Sequence, residues 1–552
     1  MEQCSRLLAV LLAAPLVVYG AGDASVSKRR NVLFLVVDDM RPTLGAYNFS
    51  LAHTPNMDRL ASEGVTFKRA YVQYAYCSPS RNSFLSGRRP DTTQVWNFVN
   101  NFRDVGPHWA SLPGYFRQNG FITLGSGKLY HPGHPGDNDY AGSWSPEWPY
   151  FSPECQPPDC PHAQPLPKKK FPNCLQREPP NSEADDGNKK GKMTVCVADI
   201  AANESRLEDQ LEDMQIRDSC IKQLEIAKKT GKNFFIGCGF HKPHVPWVVP
   251  AEFWRYFPED LDDIPLAKFP YMPAGMPEIA YHYPADVHGF ENLAHNGTCN
   301  RTRSRIYRRA YYAAVAYTDY NIGKVLDAVE ELGLKDDTAV LVFGDHGWQL
   351  GEHDTWAKMT NFELAVRIPM IIRAPWISGG VGTVTDVLAE AVDFYPTLAE
   401  LAGLPDPKEM GEEVNGTSLV PAMRDPGATG IKTAAYSQFG KRSLSNPYDI
   451  SPQFTKEETE AMGYSVRVDN WRYTAWFRVP KGTMKPDLTD VLARELYSHA
   501  GDDGDFDFSG EDANVVDEPA RKHTVARLHR MIEAYVQIWP MSSSAESPVI
   551  YA

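Results

Sequence analysis

Residues Asn31 to Val37 (NVLFLVV) form an unbroken apolar, β-branched run that stops abruptly at Asp38-Asp39. Such a run predicts a strand buried on both faces, because a strand with one wet face alternates apolar and polar positions. Thr338 to Phe343 repeats the design and runs into Gly344-Asp345-His346. Asn233 to Phe240 is a third copy and ends at His241, with His244 shortly after it. Helical spacing lies between the runs. It is longest over Ser304 to Leu332 and recurs over Ala389 to Ala402. Strands alternating with helices predict an α/β domain with a parallel sheet. In such sheets ligands bind at the carboxyl ends of the strands, where these three runs place their polar residues.

Elsewhere the periodicity fades. Residues 144–192 are rich in Pro, Lys and Asp and predict a long surface insertion, and residues 257–300 are similarly loop-like. The chain turns polar over 441–460. Beyond it, Tyr464 to Val468 and Tyr473 to Phe477 predict a hairpin turning at Asp469-Asn470, and Val525 to Trp539 a helix. The expected organisation is a large domain over 23–444 and a smaller C-terminal α+β subdomain over 445–552.

At 552 residues the chain has room for both. Its net charge of −14 argues against a nucleic-acid partner, whose binding face would be basic. An anionic small ligand stays open, since one pocket can be positive on an acidic protein. Arg6, the apolar run Leu7 to Val18 and the small residues Gly20 to Gly22 predict a signal peptide over 1–22. No later stretch is apolar for long enough to span a bilayer, so no membrane partner is expected. Export agrees with five N-x-Ser/Thr sequons, at Asn48, Asn203, Asn296, Asn300 and Asn415. Nine cysteines occur, of which Cys155, Cys160, Cys174 and Cys196 share one irregular segment where disulfides are plausible.

The sharpest chemical feature is Cys77-Ser-Pro-Ser-Arg81, followed by Leu85-Ser86-Gly87. A cysteine at a helix start is expected to have a lowered pKa and to serve as a nucleophile, and Arg81 would lie one helical turn on. The Asp38-Asp39 pair would repel itself unless a cation sat between the two carboxylates. Asp345 and His346 offer further oxygen and nitrogen ligands. Lys128, His131, His241 and Lys358 lie close to these motifs and could supply the several cationic donors that an anionic substrate needs. His244 and His353 are read as supporting residues.

C-x-P-S-R followed by L-x-G resembles the signature of the sulfatase family, with Ser86 where the family usually has threonine. The resemblance implies an alkaline-phosphatase-like fold, a large mixed sheet flanked by helices. It also implies conversion of Cys77 to formylglycine by the formylglycine-generating enzyme during export. One calcium ion would be held by Asp38, Asp39, Cys77, Asp345 and His346, although many relatives carry asparagine at the last position. Arg81 would steady the modified residue. Lys128, His131 and Lys358 would grip the sulfate, His241 would protonate the leaving oxygen, and Trp348 would shape the sugar pocket. The stretches SFLSGRRPDTT, GKLYHPG, GFHKPHVPW, DHGWQLGEH, WAKMTNFELA and GYSVRVDNWRYTAW resemble the branch of the family that removes the 2-sulfate of iduronate. That implies lysosomal delivery, a sulfated glycosaminoglycan (heparan or dermatan sulfate) as substrate, and pairing of Cys174 with Cys196. Two alternatives stand beside it: a sulfatase for another sulfated sugar or small ester, and a non-catalytic secreted glycosaminoglycan-binding protein.

Overall fold

The computed structural model describes residues 28–153, 161, 163–164, 195–198, 211–282, 301–445, 454–504 and 510–538. The expected signal peptide, the sequons at Asn203, Asn296 and Asn300, the cysteines 155, 160 and 174, and most of the insertion lie outside these residues.

Four parallel strands make the centre: β1 (Asn31–Val37), β2 (Ile122–Gly127), β3 (Phe234–Phe240) and β4 (Thr338–Gly344), in the order β4-β1-β3-β2. All their residues are buried, which is why the three longest show no alternation. β5 (Met370–Arg373) pairs antiparallel with β4, and short strands on both flanks extend the mixed sheet to nine.

Successive residues of β1 serve opposite faces of the sheet. Leu33, Leu35 and Val37 join one core cluster with α2 (Glu212–Thr230) and the 31-residue α3 (Arg301–Glu331). Val32, Phe34 and Val36 join the other with α1 (Cys77–Ser86) and α4 (Phe394–Leu401). Phe34 is surrounded by Phe343 and Phe84 at ring distances of 4.9 and 6.0 Å. A side chain of that size contributes roughly 1.5–3 kcal/mol when fully buried. The helix expected over Ala389 to Ala402 is shorter than its spacing suggests. Ala389–Glu390 form a strand beside Ala70–Tyr71, Glu390 and Asp393 cap each other, and α4 starts at Phe394 with Pro396 in its first turn.

The C-terminal sheet is antiparallel, in the order β6 (Ala435–Lys441), β7 (Ala461–Val468), β8 (Trp471–Arg478) and β9 (Val491–Ser498), with α5 (Lys522–Ile538) packed on it. The β7–β8 hairpin turns at Asp469-Asn470, with Val468 opposite Trp471. The sheet takes in β6, which lies ahead of the expected boundary at residue 445. Cys220 on α2 is disulfide-bonded to Cys238 on β3. The expected Cys174–Cys196 pairing lies outside the described residues. Among the described residues no helix is long and apolar enough to cross a membrane.

Candidate active site

The site is assembled where β1, β2, β3 and β4 end. Asp38 N–H donates to Phe240 O (3.1 Å) and Asp345 N–H to Val37 O (3.0 Å). Sheet pairing therefore continues one residue past the strands and delivers two carboxylates side by side. Asp39 then turns into the left-handed region at φ 61°, a costly state for a residue with a Cβ. It is fixed there by Asp39 N–H to Asp345 Oδ1 (2.9 Å) and by Tyr311 Oη to Asp39 O (2.8 Å). On the neighbouring strands Lys128 N–H donates to Gly239 O at 2.9 Å. A Cβ at position 239 would lie 2.2 Å from Lys128 O, so glycine there lets the two strand ends meet.

α1 brings up Cys77 as its first residue, and all ten of its residues are buried. Pro79 is tolerated because first-turn N–H groups have no helical partner anyway. Gly87 closes the helix at φ 67°, where a Cβ would approach Tyr395 Cδ1 to 2.6 Å. Ser86 Oγ donates to Asn82 O at 2.6 Å, a bond that threonine could also make. The serine therefore preserves the local chemistry of the motif.

Cys77 Sγ lies 3.4 Å from Asp38 Oδ1, 3.2 Å from His346 Nε2 and 3.2 Å from Lys358 Nζ. Lys358 also pairs with Asp39, and Lys128 Nζ donates to Asp38 Oδ2 at 2.5 Å. Arg81 Nε donates to Asp345 Oδ2 (2.9 Å), its Nη2 lies 3.3 Å from Asp38 Oδ1, and its Nη1 bonds the carbonyls of Lys128 and Leu129. His241 Nδ1 is 3.9 Å from Asp38 Oδ2, and His244 Nε2 is 3.9 Å from Asp39 Oδ2. His131 joins through Phe98, whose ring is 4.3 Å from the imidazole and 4.1 Å from Tyr76, the residue before Cys77. Trp348 is fully buried, with Lys358 Nζ 5.2 Å above its ring, so it supports that lysine from beneath. His353 packs its ring, tilted by 34°, 4.6 Å from that of Phe362.

The electrostatics correct one expectation. Burial, followed by the charge of Asp38, pushes the Cys77 thiol well above its ordinary value. Those effects outweigh the helix start and run opposite to the lowering expected of a cysteine at that position. Burial and the neighbouring Asp38 and Asp345 push Asp39 up, and burial with Asp38 takes Asp345 to about 7. Burial also acts to raise Asp38, but Lys128 and Arg81 hold it well below the carboxylate range. His346 is driven down by burial and then by Lys358, and is neutral. Its Nδ1 faces Gly347 O at 3.0 Å, which assigns the proton there and leaves the Nε2 lone pair turned to the cluster.

This donor set fits a divalent cation. Ligand atoms of Asp38, Asp39, Cys77 and His346 lie within 4.8 Å of one another. Asp39 Oδ2 is buried without a hydrogen-bond partner, and Asp345 Oδ2 stands 3.4 Å from His346 Nε2. Crowded carboxylates with raised pKa values are what a bound cation relieves.

The sulfatase family model matches residues 30–404, which include every residue of this cluster. The chain belongs to the sulfatase family. It is similar to the iduronate 2-sulfatases of Mus musculus and Homo sapiens, each 33% identical over 86% of this chain and covering 89% and 90% of those proteins. Among solved structures, a phosphonate monoester hydrolase of Agrobacterium radiobacter superposes with a TM-score of 0.68 at 19% identity, over 93% of this chain and 96% of that one. The fold of this sulfatase is alkaline-phosphatase-like, and it hydrolyses sulfate esters.

Several contributors carry no sequence signal. Tyr311 sits mid-helix and Phe98 in a loop, and only the fold brings them to the site. His244 could be suspected from its closeness to His241, but its approach to Asp39 could not.

Proposed function

We propose that this sulfatase removes the 2-sulfate from L-iduronate 2-sulfate at the non-reducing end of heparan and dermatan sulfate. In this reading it acts in the lysosome after export, with Cys77 converted to formylglycine by the formylglycine-generating enzyme. The observation that carries the reading is the 33% identity to two iduronate 2-sulfatases over 86% of the chain.

Hydrolysis breaks the bond between sulfur and the sugar oxygen, and negative charge moves onto that oxygen. Lys358 and Lys128 bring two ammonium groups beside position 77 to hold the sulfate, and His131 adds a donor at the Phe98 side. Arg81 is not part of that grip. Its guanidinium is committed to Asp38, Asp345 and two backbone carbonyls, so it fixes the carboxylates and the end of β2. His241, one of the partly exposed groups of the cluster, gives a proton from Nε2 to the leaving sugar oxygen. Trp348 shapes the pocket by holding Lys358 in place. Formylglycine at position 77, once hydrated, supplies a hydroxyl nucleophile and a second hydroxyl whose deprotonation releases sulfate. A calcium ion held by Asp38, Asp39, Asp345, His346 and the residue at 77 supplies Lewis-acid polarisation of a sulfate oxygen.

Substrate profiling tests the finer reading. Sulfate should leave a disaccharide ending in iduronate 2-sulfate at least about 100-fold faster than one ending in glucosamine 6-sulfate, the scale on which a polar pocket discriminates. A reversed preference would replace the substrate and leave the family intact. For the metal, Asp39→Asn should weaken calcium binding by at least about tenfold, the lower end of what losing even an outer-shell partner costs. Elemental analysis after dialysis against graded calcium measures this without any assay of activity. Unchanged calcium content would remove Asp39 from the ligand set.

A further inference from the structure

The turn that carries His241 is held from behind by α2. Asp213 lies in the first turn of that helix and is 2% exposed. Its Oδ1 accepts the His241 N–H at 2.6 Å and its Oδ2 accepts the Lys242 N–H at 2.9 Å. One carboxylate thereby fixes two successive peptide groups at the end of β3. The rest of the turn is built onto this pair. Lys242 Nζ donates to His244 O at 3.0 Å, and Thr318 Oγ1 of α3 donates to Lys242 O at 2.8 Å.

A second tie joins the same helix to the same strand. Cys220 lies about two helical turns beyond Asp213 and is bonded to Cys238, just upstream of His241. The disulfide fixes the distance between α2 and β3, and Asp213 fixes the turn that follows. Burial raises the Asp213 carboxyl, while Lys242, His241 and the two N–H bonds act to lower it. A buried carboxylate is tolerated only where it is fully partnered. Here both oxygens go to one loop, the loop that faces the reacting groups.

We propose that Asp213 is a positioning residue for His241, setting the height and rotation of the His241–His244 turn so that the imidazole stays against Asp38. The proposal rests on the reading of His241 as the proton donor. Asp213 touches no reacting atom and acts only through that ring. Its loss therefore matters where the leaving oxygen needs a proton and not where it departs as a stable anion.

The test uses the full-length, modified protein. The rates of Asp213→Asn, Asp213→Ala, His241→Ala and the Asp213→Asn/His241→Ala double variant are compared on two esters. One is the sulfated sugar that the wild-type protein turns over, iduronate 2-sulfate by the reading above; the other is nitrophenyl sulfate. Asp213→Asn is expected to lower kcat on the sugar ester by about 10–100-fold, the cost of misplacing a general acid, with KM within about threefold. On nitrophenyl sulfate the loss should stay below about threefold, and the double variant should be no slower than His241→Ala alone. Equal losses on both esters, or additive losses in the double variant, would overturn the proposal. Should His241→Ala itself show no leaving-group dependence, its role as donor falls. The double variant then still decides whether Asp213 acts through it. Asparagine keeps one acceptor oxygen and carries the comparison if the alanine variant does not fold.

Discussion

Replacing Cys77 by serine should abolish turnover while leaving the fold in place. The side chain is buried among Asp38, His346 and Lys358, and serine fills almost the same volume with a hydroxyl that the same neighbours can bond. The melting temperature should therefore move by no more than about 2–4 °C, the shift that about 1 kcal/mol produces. The rate should fall by about 10⁴-fold or more, the scale on which losing a covalent nucleophile acts. The expectation rests on what either ordinary side chain lacks. Burial and Asp38 raise the thiol well above its normal pKa, and neither a thiol nor a serine hydroxyl carries the second hydroxyl whose deprotonation would release sulfate. Steady-state rates on a sulfated sugar, together with a thermal melt, check both halves. Retention of even a tenth of the activity would dismiss a modified Cys77 as the nucleophile. Protein made without the modifying enzyme should behave like the serine variant, being folded and inactive.

Apart from the Cys77–Arg81 motif, the parts of this site most legible in the sequence share one physical cause. β1, β3 and β4 are covered on both faces, so their apolar runs are continuous and their ends unmistakable, and Asp38, Asp345 and His241 are placed by those ends. β2 is different. Its sequence ITLGSG trades side chains for close backbone approach, and Gly239 opposite it does the same, so the strand that delivers Lys128 has no hydrophobic signature. The thiol's pKa runs opposite to the expectation because a helix start is visible in sequence and burial is not. Asp213 shows the same limit. A carboxylate in a first helical turn looks like a charge placed for the helix dipole, and only the fold reveals that its bonds run to the next strand's exit.

The ionic network that ties the C-terminal sheet to Glu363 and Tyr71 of the large domain is equally invisible in sequence, and it carries the largest expected effect on stability. Glu363, fully buried after the turn that follows Lys358, accepts from Tyr71 Oη at 2.8 Å and pairs with Arg472 of β8 and, at 3.3 Å, with Arg467 of β7. Its own N–H donates to Glu511 Oε2 at 2.7 Å, and Glu511 pairs with Arg472 at the same distance. Arg467 reaches Asp502 at 2.7 Å, and His499 lies between Asp502 and Glu511 at 3.1 and 3.0 Å. Removing Glu363 would leave two buried guanidinium groups short of charge. Glu363→Ala should therefore cost about 3–5 kcal/mol, against less than about 1 kcal/mol for an exposed pair. A urea titration followed by tryptophan fluorescence measures the difference, and a loss within the exposed-pair range would show that the network is not what docks the C-terminal sheet. The sign of the pH dependence follows from the same groups. Burial acts to raise Glu363, but Arg467 and Arg472 outweigh it. Burial is likewise outweighed at Glu511 by Arg472 and His499, which take that carboxyl to about 2. Carboxyls depressed in the folded state stabilise it above their unfolded value of about 4.3 and lose that contribution as the pH falls through the folded one. The wild-type protein should thus keep this contribution from neutrality down to about pH 4.5 and shed it between about 4 and 2. Glu363→Gln should flatten that acid limb, because the variant no longer has a proton to take up at this position.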